Sequence, residues 1–170
     1  MDAETLRALQ APLKSRYREA PETARIQARA SAELDLSEIA CAVPGWHGTT
    51  RAGLHPVAGG SGALACSADM LLEALAACAG VTLRAVATAM GITLRSGRVI
   101  AEGIWDARGT LGIDRVVPVG LSEISLRFEL DSDETPDKLE KLVSITERYC
   151  VIFQTLRMPP KLSATLGSGA

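Results

Sequence analysis

One stretch of the sequence constrains the fold more than any other: residues 66–91 have the spacing of a single long, apolar helix. The sequence places the N-cap of this helix at Ser67 and its C-terminal stop at Gly91. Small and apolar side chains recur along one helical stripe, with others beside it: Leu71, Leu75, Cys78, Thr82 and Val86, then Leu72, Ala79, Leu83 and Met90. Only three charged residues interrupt the stretch: Asp69, Glu73 and Arg84. A helix this apolar on nearly all sides is expected at the centre of the fold.

The segments around this helix alternate between strand and helix patterns. Strands are predicted at residues 25–32, 39–43, 99–107, 121–130 and 161–166, and helices at 3–18, from 136 to about 149, and at 151–156. Pro12 is expected to strain the first helix or split it, and Pro44-Gly45 to turn the chain. The Gly-rich residues 47–65 are expected to form a loop, and residues 167–170 a loose tail. The order strands, central helix, strands, helix, strand predicts an α+β domain.

The length and charge of the chain limit the classes of function. Its 170 residues suit one domain with a sizeable core, in which residues 1–22 form an N-terminal helical extension and residues 23–170 the main domain. A net charge of −2 and the lack of a basic patch argue against nucleic-acid partners. Charges within the central helix argue against a membrane span, and an acidic, polar N-terminus predicts no signal peptide. We therefore expect a cytoplasmic protein.

The chain has four cysteines: Cys41, Cys66, Cys78 and Cys150. Stable structural disulfides are rare in the cytoplasm. The sequence has no CxxC pair and only two histidines, so neither a metal site nor a bound cofactor is expected. Taken alone, a cysteine on an apolar helical stripe is usually a small core residue. That interpretation applies to Cys78, and a similar one applies to Cys150 after its amphipathic helix.

A reactive role for Cys78 would need a cation from another segment of the chain. The thiolate is the nucleophile, and burial raises the pKa of a thiol. Cys78 lies about three turns into its helix, beyond the reach of the positive helix terminus. The upstream candidates are Arg25, Arg29 and Arg51, whereas Arg84 faces another side of the helix and Arg148 adjoins Cys150.

Two motifs in the sequence resemble those of a known family. The first is a Leu-Leu pair and an Ala-rich turn that lead to Cys78, and the second runs from Thr146 through Cys150 to Leu156. Their order, spacing and intervening strands resemble the OsmC/Ohr family of thiol-dependent hydroperoxide reductases, over about residues 23–166. The resemblance implies an OsmC-like fold, with antiparallel sheets wrapped around a long central helix. It also implies an intertwined homodimer with its sites at the interface.

The resemblance implies a mechanism as well. Cys78 matches the peroxidatic cysteine, whose thiolate attacks an organic hydroperoxide and becomes a sulfenic acid. Cys150 matches the resolving cysteine, which forms a disulfide with the first. A dithiol reductant, lipoyl-linked in some members, would restore both thiols. The family uses an arginine to stabilise the thiolate and bind the peroxide; Arg51 is the candidate here, and Arg29 is the alternative.

One position departs from the family pattern. The family has a glutamate ten residues before the peroxidatic cysteine, where it fixes the arginine, and this chain has Ala68 there. Asp69 is adjacent and Glu73 is one turn on, but neither matches that position. The departure supports a second hypothesis, in which the protein is a non-catalytic OsmC-fold dimer that binds a small apolar or thiol-bearing ligand.

Overall fold

The computed structural model describes residues 1–167 as five helices and five strands, with single turns of 3-10 helix at Pro21–Ala24 and Pro56–Ala58. The first half comprises α1 (Ala3–Glu19), β1 (Glu33–Asp35), β2 (Ala40–Gly45), β3 (Gly48–Gly53) and α2 (Ser67–Met90). The second half comprises β4 (Ser96–Ile104), α3 (Ala107–Thr110), β5 (Glu123–Asp131), α4 (Pro136–Tyr149) and α5 (Val151–Arg157). The predicted α+β class is confirmed.

Both sheets are antiparallel, as the family resemblance implied. The first has the order β1-β2-β3, and a two-residue turn at Trp46 and His47 joins β2 to β3. Gly48 closes that turn at φ 126°, a backbone conformation that glycine adopts without strain. The second sheet pairs β4 with β5 over nine residues, from Ser96 opposite Asp131 to Ile104 opposite Glu123.

Helix α2 is the axis of the fold. It begins one residue away from the predicted cap: Cys66 is the N-cap, and its carbonyl accepts the Met70 N–H at 3.0 Å. It ends as predicted at Gly91, whose φ of 67° leaves the helix and lets its N–H bond the last carbonyls. Every fourth residue of one stripe is buried: Leu75, Ala79, Leu83 and Ala87. This stripe packs on β4, α4 and α5.

The core consists of two clusters along that stripe. One contains Leu83, Ala87, Ile92 and Leu142, and the other contains Leu75, Ala79 and Cys150. The opposite face of α2 is open, and Val81 is 73% exposed there. The chain exposes 12965 Å² in total, whereas a folded monomer of 17.9 kDa exposes about 8,000 Å². A single copy therefore leaves much apolar surface uncovered.

Among the described residues, α2 is the one helix that is long and apolar enough, by length and composition alone, to cross a membrane. A core helix of a soluble protein meets the same criterion. The buried stripe on β4 and α4 shows that α2 is built to pack against protein on at least one side.

Two expectations for the first sheet were wrong. Pro44-Gly45 does not turn the chain but ends β2, where Pro44 lies opposite Thr49. β1 pairs with β2 only as far as Ala42, so Pro44 lies where β2 has a single neighbouring strand. A proline, which lacks a backbone N–H, is tolerated at such a position. The predicted loop at 47–65 contains β3, whose Gly-Thr-Thr-Arg-Ala-Gly sequence has no apolar alternation and becomes a strand by pairing with β2.

The ends of the chain also differ from expectation. Helix α1 continues through Pro12 without a break, and no residue of this helix is buried. Water can therefore reach the Ala8 carbonyl that Pro12 cannot bond. Residues 25–32 and 161–166 are exposed and irregular, because a strand needs a partner and this single chain offers them none. Of the predicted tail at 167–170, residues 168–170 lie outside the described residues.

Candidate active site

Cys150 forms the corner between two helices. It is the C-cap of α4 and also the N-cap of α5, with an extended backbone at φ −73° and ψ 110°. Its N–H donates to the Thr146 carbonyl at 2.9 Å, and its carbonyl accepts the Gln154 N–H at 3.0 Å. These bonds satisfy backbone groups that a helix end would otherwise leave unpaired. The side chain is fully buried.

The structure brings the two predicted site cysteines together. Cys150 forms a buried cluster with Leu75 and Ala79 of α2, and Cys78 packs against this cluster from the same helix. Cys78 is half-buried, and both cysteines are free thiols. Two segments 72 residues apart in the chain therefore place their thiols side by side.

The surroundings of Cys78 favour its thiolate. Burial raises the pKa of the Cys78 thiol, but hydrogen bonds from four donors outweigh burial and hold the pKa below its ordinary value of 9.0. The donors are the backbone N–H groups of Ile152 and Val151, the Cys150 thiol and the Thr82 hydroxyl. The two N–H groups belong to the first turn of α5, where a helix has donors without internal acceptors.

Cys150 is shifted in the opposite direction. Burial raises the pKa of the Cys150 thiol, and the N–H groups of Phe153 and Ile152 offset only part of that rise. The negative charge on the Cys78 sulfur raises the pKa of Cys150 further. Cys78 is therefore the more acidic thiol of the pair, and Cys150 is the less acidic one.

Arg51 lies elsewhere in the single chain. It stands on β3 with its side chain half exposed, and its guanidinium pairs with Asp35 at 3.0 Å and with Glu38. These two carboxylates, Glu38 first, raise the pKa of Arg51. Within residues 1–167, no guanidinium is among the groups that hydrogen-bond Cys78.

The other charged candidates also lie in exposed segments or make contacts that do not include the thiol pair. Arg25 and Arg29 lie in the exposed irregular segment, and Arg148 stacks on the Tyr149 ring at 5.6 Å. Asp69 and Glu73 are exposed on α2, and neither forms a salt bridge within the described part of the chain.

Several clefts adjoin α2. A cleft of about 320 Å³ is lined by Leu75, Leu126, Phe153 and Leu156, which all belong to the packing around the thiol pair, and by Arg157. A second cleft of about 400 Å³ lies at the start of α2. Across residues 1–167, no group of three His, Cys, Asp or Glu side chains could hold a metal ion.

Sequence reasoning missed two kinds of site group. The first is the pair of α5 backbone N–H groups, whose direction depends on the corner at Cys150. The second is Thr82, although its place four residues after Cys78 on the predicted stripe was a usable signal.

Comparison with known proteins agrees with this arrangement. A family model described as OsmC-like protein matches residues 60–165, which include both cysteines. A search of curated proteins found no match.

Solved structures show the same fold at low sequence identity. An OsmC-like protein from Mycoplasma pneumoniae is 20% identical, with a TM-score of 0.65 over 79% of this chain and 89% of its own. An organic hydroperoxide resistance protein from Elizabethkingia anophelis is 15% identical, with a TM-score of 0.62 over 79% and 92%. The organic hydroperoxide resistance protein OsmC from Legionella pneumophila is 17% identical, with a TM-score of 0.60 over 79% and 93%. Since the family model covers more than half of the chain, the protein belongs to the OsmC-like family.

Proposed function

We propose that the protein is a thiol-dependent peroxidase that reduces organic hydroperoxides, with Cys78 as peroxidatic and Cys150 as resolving cysteine. One observation carries the proposal: two thiols from distant segments adjoin, and their pKa values are shifted in opposite directions. A nucleophile with a lowered pKa beside a protonated thiol has the division of roles that this reaction requires.

The reaction proceeds in two steps. The Cys78 thiolate attacks the distal oxygen of the hydroperoxide; an S–O bond forms, the O–O bond breaks, and the alkoxide takes a proton from water to leave as an alcohol. The Cys150 sulfur then attacks the Cys78 sulfenic acid. The S–S bond forms as the sulfenic hydroxyl leaves with the Cys150 proton as water. A dithiol reductant, possessing the two electrons needed, returns both cysteines to thiols by exchange.

A cleft of about 320 Å³, which neither cysteine lines but which adjoins the cluster that contains Cys150, is where we place the organic part of the peroxide. Its apolar wall is formed by Leu126, Phe153 and Leu156, which also pack against the cluster that contains Cys150. An alkyl or aryl substituent on the peroxide can bury apolar surface there.

The proposal includes a homodimer. The excess exposed surface and the open face of α2 support it, because association would bury them. Residues 25–32 and 161–166 support it too, since their strand-like sequences lack partners in one chain. Residues 1–22 are proposed as an extension of the domain at 23–170, because α1 buries none of its side chains. We place the protein in the cytoplasm, where dithiol reductants are available.

Arg51 is proposed as a stabiliser of the thiolate and peroxide that acts across the dimer interface. Its guanidinium is already held by Asp35 and Glu38. These carboxylates would fix the arginine in place of the glutamate that Ala68 replaces.

The test is oxidation of the full-length protein with one equivalent of an organic hydroperoxide, followed by intact-mass measurement and peptide mapping. We expect the loss of two thiol hydrogens and a peptide pair joined through Cys78 and Cys150. Cys66→Ser is the matched control and should leave this disulfide intact. Two free thiols at Cys78 and Cys150 after oxidation would contradict the proposal.

The alternative function is a non-catalytic dimer that binds a small apolar or thiol-bearing ligand. It is favoured by the Arg51 guanidinium, which binds Asp35 and Glu38 rather than Cys78 in the single chain. Alkylation of the native protein at neutral pH separates the two functions. A rapid reaction at Cys78 supports catalysis, and an inert thiol supports ligand binding.

A further inference from the structure

Helix α1 carries an apolar stripe that a single chain leaves largely uncovered. Leu6, Leu9, Leu13 and Tyr17 recur at helical spacing along one side of this helix. The helix contacts α2 of its own chain, yet Leu9 stays 56% exposed and Leu13 41% exposed. An amphipathic helix with no buried side chain indicates a further partner for its apolar side.

One flank of this α1 stripe is basic. Arg7 and Lys14 lie seven residues apart, so their side chains fall in one row that spans about 10 Å along the helix. Arg18 continues the row one turn after Lys14. Across residues 1–167, none of these three cations forms a salt bridge. The row is therefore available to acidic groups of a partner.

A groove of complementary composition lies between β5 and α4. It encloses about 400 Å³, and half-buried apolar side chains form much of its lining: Phe128, Leu130, Leu139 and Val143. Glu140, Ser144 and Glu147 of α4 complete the lining. The groove thus presents an apolar surface beside carboxylates, as a basic amphipathic helix requires.

The acidic row of the groove has the same spacing as the basic row of α1. Glu140 and Glu147 are also seven residues apart, about 10 Å along α4, and neither forms a salt bridge within the described part of the chain. When two helices pack antiparallel, rows on the same side of their apolar stripes meet. That arrangement places Lys14 opposite Glu140 and Arg7 opposite Glu147.

We propose that α1 docks in the groove between β5 and α4 of a second copy of the chain, with its basic row against the acidic row of the groove. The inference rests on the homodimer that the proposed function includes. Two-fold symmetry lets each copy supply one α1 and one groove, so the contact occurs twice.

The exposed surface is large enough for such a contact. The chain exposes 12965 Å², whereas a folded monomer of its mass exposes about 8,000 Å². A stable interface removes about 800 Å² from each partner, so the excess accommodates the α1 contact in addition to the open face of α2. The family model matches residues 60–165 and does not account for α1.

A second copy fits α1 better than a membrane surface does. The contact with α2 holds α1 beside the open face where the partner subunit is proposed. Anionic lipid would attract the basic row but would repel Glu140 and Glu147, which line an open groove of the same molecule. A partner that carries both surfaces satisfies both rows of charge.

The first test uses the full-length protein without substitutions. Light and isotopically heavy subunits are mixed and exchanged, and a carbodiimide then joins adjacent amines and carboxylates through an amide. We expect a Lys14–Glu140 amide between a light and a heavy peptide, identified by mass spectrometry. Lys14→Arg is the control, because it keeps the charge but should lose the amide. A Lys14–Glu140 amide confined to one chain, or none at all, overturns the inference.

The second test reverses the charges. Arg7→Glu with Lys14→Glu should raise the dimer dissociation constant at least about fivefold in sedimentation at low salt, because like charges would then face each other. Adding Glu140→Lys and Glu147→Lys to the same chain should restore the wild-type constant. An unchanged constant in the first variant, or a failure of the second pair to restore it, contradicts the contact. Circular dichroism verifies the fold of each variant.

A mismatched rescue separates position from net charge. Glu102→Lys and Glu123→Lys, on β4 and β5, change the net charge as much as the two substitutions on α4 do. Combined with the α1 reversal, they should leave the dimer weak. Full rescue by this pair would show that only net charge matters and would overturn the inference. Cosedimentation of the wild type with phosphatidylglycerol vesicles, lost on the α1 reversal while the dimer persists, would assign α1 to a membrane instead.

The two proposals fail separately. If hydroperoxide forms no disulfide in the wild-type protein, the peroxidase function is lost, but the crosslink still decides where α1 docks. If the disulfide forms and α1 gives no crosslink between subunits, the function stands and the docking of α1 is refuted.

Discussion

Cys78 in the middle of α2 packs against the cluster that contains Cys150, at the corner between α4 and α5, and the Cys150 thiol helps to lower the pKa of Cys78. The same corner turns the first N–H groups of α5, those of Val151 and Ile152, toward that sulfur. The single corner at Cys150 thus supplies both the second thiol and two backbone N–H groups that lower the pKa of Cys78. This arrangement and the exposed face of α2 suggest four experiments.

The alkylation of Cys78 should show the pH dependence of a thiol whose pKa is lowered. Because its pKa is lowered in the folded protein, Cys78 loses its proton at a lower pH than the ordinary 9.0. Alkylation of native Cys78 should therefore be half-maximal at lower pH than alkylation of a short peptide with the same Cys78 sequence. Cys150 should react later in the titration, because its pKa is raised. A native profile that coincides with that of the peptide would show that burial cancels the hydrogen bonds.

Removal of the proposed resolving thiol, that of Cys150, should trap the sulfenic acid intermediate. In Cys150→Ala, one equivalent of hydroperoxide should add a single oxygen atom to Cys78, since no sulfur is left to displace it. Dimedone labelling and intact mass measure the adduct, and turnover with a dithiol should fall to a small fraction of the wild-type rate. Cys41→Ala is the control, because Cys41 lies on β2. A disulfide in Cys150→Ala that includes Cys78 would mean that another cysteine resolves the sulfenic acid.

Replacement of Arg51 tests whether a cation takes part. If Arg51 acts across a dimer interface, Arg51→Ala should slow sulfenic acid formation by about tenfold or more. Arg51→Lys should restore only part of the rate, because lysine cannot copy the planar fork held by Asp35 and Glu38. Stopped-flow measurement of the oxidation step gives the rates.

Arg95→Ala is the matched control for Arg51, since Arg95 is also half exposed and paired with carboxylates. Both alanine variants should leave the free energy of unfolding nearly unchanged, as is usual for exposed ion pairs. Equal oxidation rates in Arg51→Ala and wild type would mean that the neutral donors around Cys78 suffice.

The open face of α2 should be a subunit interface. Val81 is 73% exposed in the single chain, so Val81→Glu should convert the dimer to monomer in sedimentation experiments by burying a charge at the contact. Val116→Glu is the control, because Val116 is 90% exposed in the connection between β4 and β5. A dimer that survives both substitutions would place the interface elsewhere.

The sequence predicted well the elements whose patterns are local. The apolar period of α2, the amphipathic pattern of α4 and the alternation of β5 each appear in the residues themselves, and the structure confirms all three. The adjacency of Cys78 and Cys150 could be expected from the motif resemblance, which carries long-range information that periodicity lacks.

The sequence failed where a segment's structure depends on the presence of a neighbouring strand rather than on the segment's own residue pattern. β3 is a strand because β2 pairs with it, although Thr49 to Ala52 show no apolar alternation. Residues 25–32 have the alternation but no neighbouring strand, and they stay irregular. The direction of a hydrogen bond is equally invisible in sequence: nothing in the residue order shows that the Thr88 hydroxyl donates to the Arg84 carbonyl.

The place of Cys150 at the corner of two helices has a consequence for the mechanical behaviour of the chain. A bond between Cys78 and Cys150 would tie α2 to that corner and close a loop of 72 residues. Loop-closure entropy makes such a crosslink worth about 4 kcal/mol against unfolding. In the proposed cycle, oxidation would tie α2 to the corner between α4 and α5 and reduction would release it, so that an oxidised molecule resists a protease longer than a reduced one.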